Sequence, residues 1–200
     1  MKIDREQLIK AIKFLKHAIL VTDRHEPLGF LHVRIDEGKA ILTAADHYVA
    51  KRVTLIEPQQ IEVDGPAKTD PNGQFMISKA TLEAFETLCS KHKQKFRDSS
   101  DPSNKIIEIS ADELVSHKDT IHYEQPAYSY PLEKVDDIFN RPGQPVGKLT
   151  IFPDVVLSAF KDFNQKTPLI VSFSGQSGAV YIEQDDYQAA FLPMEINDND

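Results

Sequence analysis

Tryptophan is missing from this chain of 200 residues, and cysteine occurs once, as Cys89. A lone thiol cannot close an intrachain disulfide. Its spacing in TLEAFETLCSKHK puts it on a helix face with Leu82 and Phe85, the place of a small core side chain rather than a nucleophile. No run of about 18 apolar residues exists to cross a membrane, and the opening MKIDREQLIK carries charge where a signal peptide needs its apolar stretch. These absences lead us to expect a reducing, cytoplasmic setting with no membrane partner. Basic residues are also outnumbered, with 23 Lys and Arg against 31 Asp and Glu, for a net charge of -8. Bulk electrostatics therefore oppose contact with nucleic acid.

The motifs of catalysis are lacking as well. None of the seven histidines stands in an HExxH or HxH arrangement, and His117 and His122 flank an expected turn without cysteine support. GQSG lacks the flanks of a nucleophile elbow, and there is no glycine-rich phosphate loop with Lys-Ser/Thr. The acid pairs Asp136-Asp137 and Asp185-Asp186 read as solvated acids in polar turns rather than a catalytic dyad. The expectation is a non-enzyme with no metal and no cofactor.

What is present is a repeated pattern. A hydrophobic fraction of 40% suffices for one sizeable core or two small ones. Residues 4–19 place Leu8, Ile12, Leu15 and Ile19 at helical spacing, with Lys13, Lys16 and His17 opposite. GFLHVRID, KAILTAAD and HYVAKRVTLI follow with strand character. After a loop-like stretch containing a short strand at 61–63, Ser78 is a candidate N-cap for a second helix, and KIIEIS, ELVSH and TIHYEQ read as strands. PAYSYPLEKVDDIFNRPGQP reads as a Pro-rich, acidic connection. Beyond it come a strand KLTIF, a helix with Pro153 near its first turn, and the strands PLIVSFS, GAVYIEQ and QAAFLPMEI, with GQSG as a tight hairpin turn. Helix plus strands thus recurs three times. The expected fold is α+β, with antiparallel sheets and helices on one face. The expected organisation is one domain at 1–140, of modules 1–58 and 59–140, and a half-domain at 141–200.

Several segments resemble the bacterial sliding clamp, the DNA polymerase III beta subunit. KAILTAADHYVAKRVTL is similar to the clamp pattern of a strand entering an Ala-Thr-Asp-Gly-His type turn; Ala45, Asp46 and His47 match, and the glycine is absent. Leu192, Pro193, Met194, Glu195 and Ile196 stand where clamps end in a Met-Pro-Met-Arg-Leu type sequence, with glutamate in place of arginine. The resemblance implies a ring that encircles duplex DNA non-specifically and tethers a polymerase or clamp loader through a short peptide. The peptide groove would be lined by His47, Tyr48, Val49, Pro193 and Met194. A terminal strand packed into its own sheet is the alternative role for Pro193 and Met194. Inward lysines would hold phosphates, with Lys10, Lys13, Lys16, Lys79, Lys91, Lys161 and Lys166 as candidates; a solvated helix face is the other reading of these residues. Clamp subunits carry six modules and close a ring of twelve as dimers, so a chain of three modules implies a homotetramer by module count, with a dimer or a non-ring relative as the competing readings. A clamp-fold inhibitor or decoy that binds replication proteins without encircling DNA is the alternative function.

Overall fold

The structure, a computed structural model, describes residues 1–20, 27–58, 73–91, 102–116, 119–140, 152–164, 166–173 and 179–192. The expected strand at 61–63, the GQSG turn, most of KLTIF and everything from Pro193 onward lie outside these residues.

A short strand β1 (Lys2–Asp4) leads into helix α1 (Arg5–Leu15). Asp4 caps the helix, its carboxylate accepting from Gln7 N at 2.9 Å. The apolar stripe of α1 buries Leu8, Ala11, Ile12 and Leu15, with Phe14 beside them. Strands β2 (Phe30–Asp36), β3 (Lys39–Ala45) and β4 (Val49–Ile56) follow as an antiparallel meander. The second unit repeats the plan with β5 (Gln74–Ser78), α2 (Lys79–Lys91), β6 (Ile106–Ile109), β7 (Glu113–Ser116) and β8 (Asp119–His122). Ser78 is the N-cap expected from the sequence, its hydroxyl accepting from Thr81 N at 3.1 Å.

The two units are knitted by a reciprocal exchange. β1, which precedes α1, pairs with β6, which follows α2, placing Ile3 opposite Ile107. β5, which precedes α2, pairs with β2, which follows α1, placing Leu31 opposite Ile77. Each unit therefore closes an edge that the other leaves open.

The third module supplies α4 (Pro153–Phe160), with Pro at its first turn as expected, and β9 (Ile170–Phe173), β10 (Val180–Gln184) and β11 (Tyr187–Phe191). β11 runs antiparallel to β4, so the third module extends the sheet of the first into seven strands in the order β5-β2-β3-β4-β11-β10-β9, beside a four-stranded sheet β1-β6-β7-β8. One large core gathers Leu8, Ile12 and Phe14 of α1, Leu82 and Phe85 of α2, Ala159 of α4 and the facing residues of both sheets. The architecture is α+β with antiparallel sheets, in agreement with the sequence.

One segment departs from expectation. Within the stretch read as a connection, Leu132–Asn140 forms a helix, α3. It lies on the opposite face of the seven-stranded sheet, where Leu132, Val135 and Phe139 pack with Ala45, Ala50 and Met76. Those three residues have helical spacing, but the acids among them and the flanking prolines give the segment a loop's composition. Asp136, read as a solvated turn acid, instead binds Arg34 and Arg52 of the sheet. Asp185 and Asp186 do occupy the turn between β10 and β11.

Candidate functional site

A groove of about 240 Å³ runs along the outer face where β4 meets β11. Its floor is shallow for a simple reason: the outward residues at the junction are small. Ala50 sits opposite Ala190 in the register, and Ala45 lies beside them. Val135 and Ile138 of α3 form one wall, Leu28 and Pro131 contribute further apolar lining, and His47, Tyr48 and Leu192 stand at the other side.

The turn between β3 and β4 is built by Asp46. Its carboxylate accepts from Tyr48 N at 2.8 Å and Val49 N at 2.7 Å, while Asp46 N donates to the Val49 carbonyl at 2.9 Å. Among described non-glycine residues, positive φ is confined to Glu37, Asp162 and Asp185, so no glycine is needed in this turn. The turn holds Tyr48 61% exposed, an aromatic ring at the rim of an apolar trough. Leu192 N donates to the Tyr48 carbonyl at 3.3 Å, which ties the end of β11 to the turn, and the Leu192 side chain remains 44% exposed.

Three of the five groove residues named from sequence, His47, Tyr48 and Val49, are brought together here. Pro193 and Met194 lie outside the described residues. Sequence reasoning missed Pro131, Lys134, Val135 and Ile138 because the α3 side of the groove was taken for a linker, and missed Leu28, Ala190 and Phe191 because only strand pairing and packing bring them to the groove. The signal available was the apolar spacing of Leu132, Val135 and Phe139.

The wall formed by α3 is anchored electrostatically. Arg52 Nη2 donates to Asp136 Oδ1, Arg34 Nη1 lies 3.4 Å from Asp136 Oδ2, and the Arg52 guanidinium stacks over Phe139 at 4.3 Å. Nearby, His32 is buried and stacked on Tyr130 at 5.1 Å between ring centres. Burial pulls the His32 pKa down to about 4 and pushes the Tyr130 phenol well above its ordinary value.

The candidate DNA-contacting lysines are distributed over α1, α2 and the region after α4. Lys10 and Lys13 are exposed on α1 and share a surface depression with Lys105. Lys16 is half-buried and forms a salt bridge to Glu86 at 3.0 Å. Lys79 is half-buried at the start of α2, Lys91 ends that helix, and Lys161 and Lys166 are exposed beyond α4. Among the described residues, no helix is long and apolar enough to cross a membrane, and no three His, Cys, Asp or Glu side chains gather as a metal site.

No protein-family model matches this sequence, and no curated protein sequence does. Solved structures do. A Helicobacter pylori beta clamp, described as bound to a DNA ligase peptide, aligns with a TM-score of 0.68 at 11% identity, covering 98% of this chain and 65% of that one. A DNA polymerase sliding clamp from Bacillus subtilis aligns at 0.63 and 12% identity, covering 98% and 64%. The beta subunit of DNA polymerase from Streptococcus pyogenes gives 0.64 and 12%, covering 100% and 65%. The chain thus has the sliding-clamp fold over essentially its whole described length, and spans about 65% of the length of these structures.

Proposed function

We propose that this chain is a sliding-clamp-like replication factor that holds a polymerase or clamp-loader peptide in the β4–β11 groove. The observation that carries this reading is the groove itself. An exposed aromatic rim, a floor of alanines and an apolar helical wall make a trough for a short, extended peptide with apolar side chains. The Helicobacter pylori clamp of the same fold is described with a DNA ligase peptide, which supplies a natural probe. Fluorescence anisotropy of a labelled DNA ligase peptide of that kind tests the proposal. Saturable binding that is abolished by Ala190→Arg, which fills the floor, supports it. Absence of saturable binding by ligase, polymerase and loader peptides alike overturns it.

For encirclement of DNA we infer several copies of this three-module unit. Four copies supply the twelve modules of the clamp ring, with α1, α2 and α4 toward the DNA and Lys10, Lys13, Lys79, Lys91, Lys161 and Lys166 contacting phosphates. A second reading, a clamp-fold inhibitor or decoy that binds replication proteins without encircling DNA, is favoured by the net charge of -8 and by the pairing of Lys16 with Glu86. Salt-sensitive retention on closed circular DNA that is lost on linearisation supports the ring; no retention at low salt supports the second reading.

A further inference from the structure

The side chains that line the β4–β11 groove are apolar or aromatic except for Asp46, His47 and Lys134. We infer that Lys134 makes this groove selective for peptides that carry an acidic side chain among their apolar anchors. The inference rests on the groove being a peptide site, and it names the chemistry of the peptide.

The charges of α3 sort by direction. Its sequence LEKVDDIFN holds three acids, Glu133, Asp136 and Asp137, and one base, Lys134. Leu132, Val135 and Phe139 pack on the sheet, and Asp136 turns to Arg34 and Arg52 beneath the helix. Glu133 and Asp137 are exposed and take no part in the groove lining. Lys134 stands one turn after Pro131 and one turn before Ile138, both of which line the groove, so the helical period sets it on the groove side. It is exposed and, among the described residues, forms no ion pair. An acidic helix in a chain of net charge -8 thus presents its one base to the trough.

The other charge on the lining is already engaged. Asp46 Oδ1 accepts from Tyr48 N at 2.8 Å and from Val49 N at 2.7 Å, and the same carboxylate lies close enough to the buried Lys51 to favour its charged form. What a bound peptide meets uncompensated is the Lys134 ammonium, with His47 and Tyr48 on the facing rim.

A peptide lying extended in the groove alternates its side chains, so residues that reach the alanine floor are separated by residues turned toward the walls. On the α3 wall such a residue meets the Lys134 ammonium, which gives up part of its water to the bound peptide. A carboxylate at that position replaces the lost hydration with a charge-assisted hydrogen bond, whereas an apolar or amide side chain leaves the ammonium poorly solvated. Because Lys134 is exposed, the gain is that of a partly solvated pair, roughly threefold to fivefold in affinity. The ligand class is therefore an extended peptide whose apolar anchors flank an Asp or Glu within reach of Lys134.

Fluorescence anisotropy tests this with a labelled DNA ligase peptide, of the kind described with the Helicobacter pylori clamp, in which each position in turn is replaced by Asp and by Asn. At the position that faces α3, the wild-type chain is expected to bind the Asp peptide roughly threefold to fivefold more tightly than its Asn counterpart. Lys134→Met should erase that ratio and Lys134→Glu should invert it. Lys134 is exposed, so both variants are expected to keep the wild-type melting temperature, and Lys134→Met should keep the affinity for the Asn peptide. Equal affinities for every Asp and Asn pair in the wild-type chain overturn the inference, as does an Asp preference that persists in Lys134→Met, which assigns it to His47. Saturable binding with no Asp preference overturns the acid selectivity alone and leaves the groove a peptide site. Absence of saturable binding by every peptide overturns both.

Discussion

Lys51 Nζ lies 3.0 Å from the main-chain carbonyl of Lys161, joining the first module to the end of the helix of the third. The Lys51 side chain is fully buried, with its ammonium 4.6 Å from the centre of the Phe14 ring. A buried charge on β4 directly beneath α4 makes this contact a fixed point of the junction that also carries the groove.

Burial lowers the Lys51 pKa from 10.5 to about 8, with Asp162 opposing the shift. Between these values the unfolded chain binds the extra proton. Stability should therefore rise as pH climbs through this window, and the relief should be lost again as pH falls through the folded value. The full shift corresponds to about 3 kcal/mol. Lys51→Met, which keeps the side-chain length without the charge, should flatten that rise and be at least as stable as wild type at neutral pH. Urea denaturation at a series of alkaline pH values measures both.

His32 titrates in the opposite region. Its folded value of about 4 lies below the ordinary 6.5, so the neutral ring supports the fold above 6.5 and that support drains away as pH falls through about 4. His32→Phe should keep the stacking on Tyr130 and remove about one proton's worth of acid sensitivity, at most about 3 kcal/mol. Proton uptake on unfolding, from the pH dependence of the denaturation midpoint, is the check.

Asp136→Ala should leave Arg34 and Arg52 without their shared carboxylate and loosen α3 from the sheet. A loss of about 2 kcal/mol is expected, below the range for fully buried pairs because Asp136 retains some exposure. Because Val135 and Ile138 form a wall of the groove, peptide affinity should fall in parallel. An affinity unchanged in a destabilised variant would separate α3 from the groove's function.

Tyr48→Ala removes an exposed ring and should change stability by less than about 0.5 kcal/mol. Peptide affinity should nonetheless drop roughly tenfold or more, the pattern of a rim aromatic that contacts ligand. Anisotropy paired with thermal melts distinguishes this from a structural role.

Charge reversal at Lys10 and Lys13 tests the ring. For a DNA-encircling assembly, Lys10→Glu with Lys13→Glu should reduce the slope of log affinity against log salt by up to about two, with no change in peptide binding. An unchanged slope would remove α1 from the DNA-facing surface.

The sequence by itself determined most of the local elements, though not α3. Asp4, Ser78 and Pro153 mark helix starts because capping and proline geometry act within a turn, and the alternating runs of β2 to β4 and β9 to β11 follow from the period of a strand. The turn residues Asp46 and His47, and Tyr48 as a groove residue, were legible only through the resemblance to the clamp pattern, since the local period placed His47 and Tyr48 in a strand that begins at Val49. Tertiary structure decided the rest. The exchange of β1 with β5 and the joining of β4 to β11 depend on backbone pairing between distant segments, which no local period encodes. α3 was hidden because its nine residues are shaped by the face they dock on, with Asp136 held by Arg34 and Arg52 from another part of the chain. Lys51 read as an ordinary strand lysine, and only the arrival of α4 over β4 buried it. Local propensity names the pieces; which edge finds which edge is set by the apolar surface that each pairing removes from water.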